Sequence, residues 1–377
     1  MTANVNGYEA MCSTIEPVDK IDFHALDEKH KIFLLEVALG NKGKCISISE
    51  GMCGEIYVFD QGENVFPRYV CAKIPKPLVN GSIQEANNRF VNELRNQLSY
   101  NHQMFVHWAF DFSEVAGTPV ALFRYWGSDL EKLIRKSEVR MVEKLSVMVY
   151  VCSGLSHCYT NGLVSHQDLK PANIFLRSVR DDFHGLPDLD IYNLALIADF
   201  GLANAFLDSS VFDGARPYMA PEQWDKSRLS PKTDVFALGV ILYELMTGGF
   251  HPTGIKLSDY WPQPVAGKSK KWTKAEPWRK WAKSANIVFG EAPWIEPKVQ
   301  ALIQKMLSVD AVDRPSIDEV SMALLEIIKN YSQDSYDQLK FIVDYFERQV
   351  LIERLEDRWP YLWGRWSQFQ AKFEQRI

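Results

Sequence analysis

The residues best suited to chemistry lie in one short run, Ser165-His166-Gln167-Asp168-Leu169-Lys170-Pro171-Ala172-Asn173. Asp168 is followed two residues later by Lys170 and three beyond that by Asn173. Phosphoryl transfer to a hydroxyl asks for this set: an acceptor that orients the nucleophile, a cation for the phosphoryl in flight, and an amide oxygen for a metal. The plainer reading is a polar loop whose Asp caps a helix. Asp199-Phe200-Gly201 follows the apolar run Leu194-Ala195-Leu196-Ile197-Ala198. A carboxylate at a strand end suits a magnesium ligand, although Asp-x-Gly turns are common by themselves. Gly51-Met52-Cys53-Gly54-Glu55-Ile56 lies between two strand-like runs, with Ser49 where the first glycine of a Gly-x-Gly-x-x-Gly would stand. Small residues there let backbone N–H groups approach phosphates; taken alone, the motif reads first as a plain hairpin. Lys73 follows Val70-Cys71-Ala72 on the next strand and needs an anionic partner, for which Glu93 is placed on the following helix.

The elements that must position these groups follow from periodicity. A helix is expected from about Ala25 to Leu39, with Ile32, Leu35 and Leu39 on one face and Gly40 as its stop. From about Lys42 to Ile74 the pattern turns to short alternating runs, with a turn at Asp60-Gln61-Gly62. Residues 84–99 read as helix, Val120–Tyr125 as a strand, and 141–160, 233–247 and 296–308 as helices. A small β-rich part therefore precedes a large helical part. Arg177 to Asn193 reads as a polar surface excursion. Residues 251–290 set Trp261, Trp272, Trp278 and Trp281 among Lys268, Lys270, Lys271, Lys274, Arg279, Lys280 and Lys283. Two readings stand for that stretch: a partner-binding surface, or a helical subdomain with tryptophans inward and lysines in water. The tail from about 329 reads as helix, with Phe341, Tyr345, Phe346, Leu351 and Leu355 at roughly helical spacing and Trp359, Trp363 and Trp366 near its end.

Composition narrows the classes. The chain has 377 residues, 46% hydrophobic, 12% aromatic and 24% charged, which excludes disorder over most of its length. A net charge of −6 argues against a protein that coats nucleic acid. No apolar run reaches the length of a membrane span. The opening residues predict no secretory signal, and Thr2 excludes N-myristoylation. A cytoplasmic, intracellular location is the expectation. Cys12, Cys45, Cys53, Cys71, Cys152 and Cys158 lack Cys-x-x-Cys spacing, which argues against a zinc site or a disulfide framework.

Taken together, the motifs resemble those of the eukaryotic-type (Hanks-type) serine/threonine protein kinases, and they run in that family's order from Ser49 to Arg314. The marks are the glycine loop, Lys73, Glu93, the His166–Asn173 loop, Asp199-Phe200-Gly201, Ala220-Pro221-Glu222, Asp234 and Arg314 before Pro315. The resemblance implies an α+β, bilobal fold: an N-terminal extension over 1–41, a kinase domain over 42–328 (N-lobe 42–123, hinge 124–127, C-lobe 128–328), and a helical C-terminal extension over 329–377. It implies ATP and Mg²⁺ as cofactors, protein substrates, and autophosphorylation with Ser209 and Ser210 as candidate sites. By the same resemblance Asp168 is the catalytic base and Lys170 sits on the γ-phosphate. Lys73, paired with Glu93, holds the α/β-phosphates, and Asn173 and Asp199 hold the metal. Ser49, Gly51, Gly54, Ile56, Phe123, Arg124, Trp126 and Asp129 line the nucleotide site. Glu222 pairs with Arg314, and Asp234 holds the catalytic loop from a buried helix. Partner docking is assigned to 251–290 or the tail. The competing reading is a nucleotide-binding pseudokinase or scaffold.

Several positions depart from the family pattern. Gln167 replaces the arginine that meets an activation-loop phosphate, so activity is expected not to depend on loop phosphorylation. Ala215 stands where a threonine contacts the base and lysine. Gln97 occupies an apolar packing position, which costs stability unless its amide is hydrogen-bonded. Ala172 replaces a glutamate that reads basic substrates, so no basophilic preference is expected. None of these positions is a phosphate or metal ligand, which favours an active enzyme over the scaffold.

Overall fold

The computed structural model describes residues 22–40, 43–50, 54–77, 82–100, 103–181, 183–209, 211–350 and 360–374. Gly51 and Cys53 of the glycine turn, Cys12, Ser210 and Trp359 lie outside the described residues, as does the side chain of Ser209. Two compact units divide the chain. The described residues through Phe90, with Phe110–Arg124 and those from Arg365 onward, form the smaller; Val91–Ala109 and Tyr125–Gly364 form the larger.

The small unit opens with α1 (Glu28–Ala38), whose N-terminus is capped by Asp27 accepting from His30 N at 2.9 Å. Among the described residues its sheet comprises β1 (Lys44–Glu50), β2 (Gly54–Asp60), β3 (Tyr69–Pro75), β4 (Ala109–Val115) and β5 (Thr118–Arg124), in the order β1-β2-β3-β5-β4. The β1–β2, β2–β3 and β3–β5 pairs are antiparallel. Side chains alternate across the sheet. Tyr57, Phe59, Val70, Ala72, Ile74, Val120 and Leu122 form a core with Phe23 and Leu35, so α1 and the turn before it cover that face. Ile56, Lys73 and Ala121 stand opposite one another in register on the other face, and Ser49 pairs with Ile56.

Helix α2 (Ile83–Ser99) contributes to both units. The large unit is mostly helical: α3 (Leu130–Ile134), α4 (Met141–Thr160), a hairpin of β6 (Ile174–Ser178) and β7 (Asn193–Ile197), then α5 (Ala205–Ser209), α6 (Pro221–Trp224), α7 (Pro231–Thr247), α8 (Ala275–Ala282), α9 (Pro297–Met306), α10 (Ile317–Tyr331) and α11 (Gln333–Val350). Helix α7 is buried on all sides from Thr233 to Thr247. Ser230 caps its start, Pro231 takes the first helical position, and Gly248 at φ +69° ends it. The expected α+β architecture, a small β-rich part and a larger helical one, is what the structure shows.

Helices near both ends of the chain pack on these units. α1 belongs to the small unit's core. α11 packs on α4 and α10, with Ser153 Oγ donating to Glu347 at 2.8 Å and Phe346 edge-on to Phe105. The last helix, α12 (Pro360–Glu374), sends Trp366 and Phe369 against Phe112 of β4, and Arg365 Nε donates to Asp111 at 2.7 Å. The physical cause is the apolar face of the tail, which is buried where it meets β4: Trp366, Phe369 and Phe373 are all in the core.

Candidate active site

The catalytic run is held from below by one buried carboxylate. Asp234 on α7 accepts from Ser165 Oγ (3.0 Å), from the backbone N–H of His166 (2.8 Å) and Gln167 (3.2 Å), and from Tyr159 Oη (3.0 Å). Burial pushes its pKa up, and the His166, Tyr159 and Gln167 donors pull the other way. Gln167 takes φ +67°, a conformation strained for any residue but glycine, and the bonds to Asp234 hold it there. His166 is fully buried, with Nε2 3.2 Å from the Ala198 carbonyl and its ring against Phe200.

Asp168 emerges from this support with each oxygen engaged. Its Oδ2 accepts from Lys170 Nζ (2.7 Å) and from Asn173 Nδ2 (3.2 Å), and its Oδ1 accepts from Ala215 N (2.7 Å). The contact expected of a threonine hydroxyl is thus supplied by the backbone N–H of Ala215. Gly214 must be glycine, because a Cβ there would lie 2.5 Å from Gln167 O.

The β6–β7 hairpin brings the two expected metal ligands to one end of a ladder. Ile174 pairs with Ile197, and Ala198 N donates to Asn173 O at 2.9 Å. Asn173 immediately precedes this pair and Asp199 follows it. Asn173 Nδ2 is committed to Asp168 O (2.9 Å) and Oδ2, so its Oδ1 is the atom left to meet a hard cation. Asp199 takes φ +63°. A Cβ built on Gly201 would stand 3.4 Å from Asp199 Oδ1 and 3.5 Å from Glu93 Oε2, so both carboxylates flank that glycine. Gln97, on the same helix as Glu93, donates to His107 O at 2.5 Å, which satisfies the amide in its buried position.

Amides hold the segment after Asp199. Gln167 Nε2 donates to Leu202 O (2.6 Å), and Asn204 links Val164 N (2.7 Å) to Gly162 O (3.0 Å). Gln223 donates to Gln167 O (3.0 Å) and Asp213 O (3.1 Å) and accepts from Ala220 N (3.0 Å). Phe206 and Phe212 touch, and Tyr218 is buried with its hydroxyl donating to Glu244 at 2.8 Å. Burial raises Glu244 to about 7. Arg216 donates to Thr273 O at 2.8 Å and lies over Trp261. Arg314 forms a two-pronged pair with Glu222 (2.7 and 2.9 Å) and donates to three carbonyls, as the sequence implies for that pair.

The remaining sequence-expected residues lie on several elements. Ser49, Gly54, Ile56 and Lys73 lie on β1, β2 and β3, and Phe123 and Arg124 end β5. Gly54 has a structural reason as well, since a Cβ there would lie 2.6 Å from Ile74 O. Asp129 caps α3 by accepting from Lys132 N at 2.8 Å, and Trp126 lies under Arg177. Asn204, Gln223 and Glu244 were not found from sequence. Their partners are mostly backbone atoms or side chains far along the chain, and a lone Asn, Gln or Glu carries no spacing signal.

A family model described as "Protein kinase domain" matches residues 48–324. The chain is 30% identical over 180 residues to the calcium/calmodulin-dependent protein kinase type I of Schizosaccharomyces pombe, covering 45% of this chain and 50% of that protein. It is 29% identical over 248 residues to the serine/threonine-protein kinase pkn3 of Myxococcus xanthus, covering 64% and 42%. It is 30% identical over 175 residues to the serine/threonine-protein kinase PknB of Mycobacterium tuberculosis, covering 42% and 25%. The chain thus spans a half or less of the length of these relatives. Among the described residues, no helix is long and apolar enough to cross a membrane.

Proposed function

The chain belongs to the protein kinase family, and from that premise we propose that it transfers the γ-phosphoryl group of ATP to serine or threonine hydroxyls of protein substrates. The observation that carries this reading is the engagement of Asp168 by Lys170, Asn173 and Ala215 N, with Asn173 and Asp199 at one end of the β6–β7 ladder. The substrate hydroxyl oxygen attacks the γ-phosphorus, the bond to the β-phosphate oxygen breaks, ADP leaves, and the hydroxyl proton passes to the Asp168 carboxylate. Asp168 orients the nucleophile. Lys170 neutralises charge on the phosphoryl oxygens as they spread apart. Lys73, with Glu93 as its anionic partner, holds the α/β-phosphates. Bound by Asn173 Oδ1 and Asp199, Mg²⁺ would supply charge neutralisation to the phosphate oxygens.

Ser49, Gly51, Gly54, Ile56, Phe123, Arg124, Trp126 and Asp129 would bind the rest of the nucleotide. Lys170 within Asp-Leu-Lys-Pro and the names of the relatives support serine/threonine acceptors. Autophosphorylation at Ser209 or Ser210 belongs to the same reading. Retention of Lys73, Asp168 and Asp199 favours catalysis over a scaffold. The test is incubation with γ-labelled ATP and Mg²⁺ beside Asp168→Asn. Label on protein serine or threonine in the wild type, lost by at least about 10²-fold in the variant, supports the reading; equal labelling in both overturns it.

A further inference from the structure

The basic, tryptophan-bearing stretch resolves into two faces. Trp278 and Trp281 are buried with His251, and their ring N–H groups donate to Trp272 O (2.7 Å) and Asn286 O (3.1 Å). The tryptophans therefore build core, as the second sequence reading has it. The charges do the opposite. Residues 268–283 hold seven basic residues and one acidic one, in a chain whose net charge is −6, and all seven basic residues are exposed. Lys268 meets Asp259, and Arg279 and Lys283 share Asp225. Among the described residues, no carboxylate lies within 4.0 Å of Lys270, Lys271, Lys274 or Lys280.

This cationic face is joined to the catalytic residue. Ala215 N donates to Asp168, and Arg216, the next residue, donates to Thr273 O, beside Lys274. An extended chain covers about 3.3–3.6 Å per residue. Acidic side chains a few positions from a hydroxyl at Asp168 are the ones that this run of contacts directs toward Lys274. Nucleic acid fits less well, because base stacking needs open aromatic faces. Here Trp278 and Trp281 are buried, Trp272 is packed on Trp278 under Lys271, and Trp261 lies under Arg216.

We propose that Lys270, Lys271, Lys274 and Lys280 form a docking surface for an Asp/Glu-rich segment of the protein substrate, so that the enzyme selects acidic sequence around its acceptor. The proposal rests on the phosphotransfer reading for the place of the acceptor, but its binding test does not require catalysis. The probes are two fluorescein-labelled twelve-residue peptides, each with one serine, flanked in one by six Glu and in the other by six Gln. At low salt the Glu peptide is expected to bind at least tenfold more tightly, with the difference shrinking at high salt. Lys270→Glu, Lys271→Glu and Lys274→Glu combined should erase the difference while leaving the Gln peptide and the melting temperature unchanged. The triple Arg variant should keep it.

In steady-state phosphorylation the triple Glu variant should raise KM for the Glu peptide at least tenfold with kcat nearly constant. Charge-selective binding without phosphorylation of either peptide would sustain the surface and count against phosphotransfer. Equal affinity of wild type for the two peptides, or full selectivity in the triple Glu variant, would overturn the proposal. So would a labelled oligouridylate that binds this face more tightly than the Glu peptide.

Discussion

Two carboxylates, one partly buried and one buried, brace the segment that follows Gly214, and their partners differ. Glu222 meets Arg314, whose guanidinium is fully buried and also donates to Ser308, Lys232 and Val309 carbonyls. Glu244 meets a phenol, Tyr218, and burial raises it to about 7. The first carboxylate is gripped by two guanidinium N–H groups, whereas burial beside a neutral phenol leaves the second poised to take a proton near neutrality. The first brace is a two-pronged strut, and the second depends on pH.

Breaking the strut should have the largest effect. Arg314→Leu leaves the largely covered Glu222 unpaired and is expected to cost about 3–5 kcal/mol, read by urea unfolding. A loss under about 1 kcal/mol would put Glu222 in the class of weak surface pairs. For the second brace the sign follows from the raised value. The folded state holds the Glu244 proton more tightly than the unfolded chain, whose value is near 4.5. The stability it contributes is present below about pH 4.5 and is lost as pH rises through about 7. Glu244→Gln should remove that decline, worth about 3 kcal/mol between the two limits, and a wild type and variant with parallel pH profiles would refute it. Asn204→Ala, which frees the backbone of Val164 and Gly162, should cost about 1–2 kcal/mol and lower activity with it. Smallest of all is the effect of removing Ser209 and Ser210 by Ala substitution. Gln167 bonds Leu202 O through its amide, so phosphatase-treated double variant is expected within about threefold of wild type, roughly 0.6 kcal/mol of barrier. A hundredfold loss, restored by Asp at either position, would mean that a cation such as Arg216 acts in the switch.

The difference between the two braces also shows what could be read before the structure. Glu222 and Arg314 were legible because each sits inside a recognisable motif, and α4 was legible because its apolar positions run through Met141–Thr160. Glu244 was hidden within an unbroken apolar helix, and its meaning depends on Tyr218, 26 residues away. The amide ties of Asn204 and Gln223 were illegible for the same reason: they bond mainly to backbone atoms, which every residue carries. The tail was legible as helix, but its seat on β4 was not, because Arg365 and Asp111 are separated by 254 residues. The tryptophans of 251–290 gave two readings because an alternation of aromatic and basic residues suits a buried helix face as well as a binding surface.

The site itself rests on the claim that Asn173 and Asp199 hold a metal for phosphoryl transfer from ATP to a protein hydroxyl. The direct measurement is the rate of label transfer from γ-labelled ATP to a serine-containing protein substrate, across a Mg²⁺ titration, for wild type and Asp199→Ala at matched folding. Loss of Mg²⁺-dependent transfer by at least about 10²-fold, the scale of removing one electrostatic element, is the expected result. Equal Mg²⁺-dependent rates in the two proteins would contradict it.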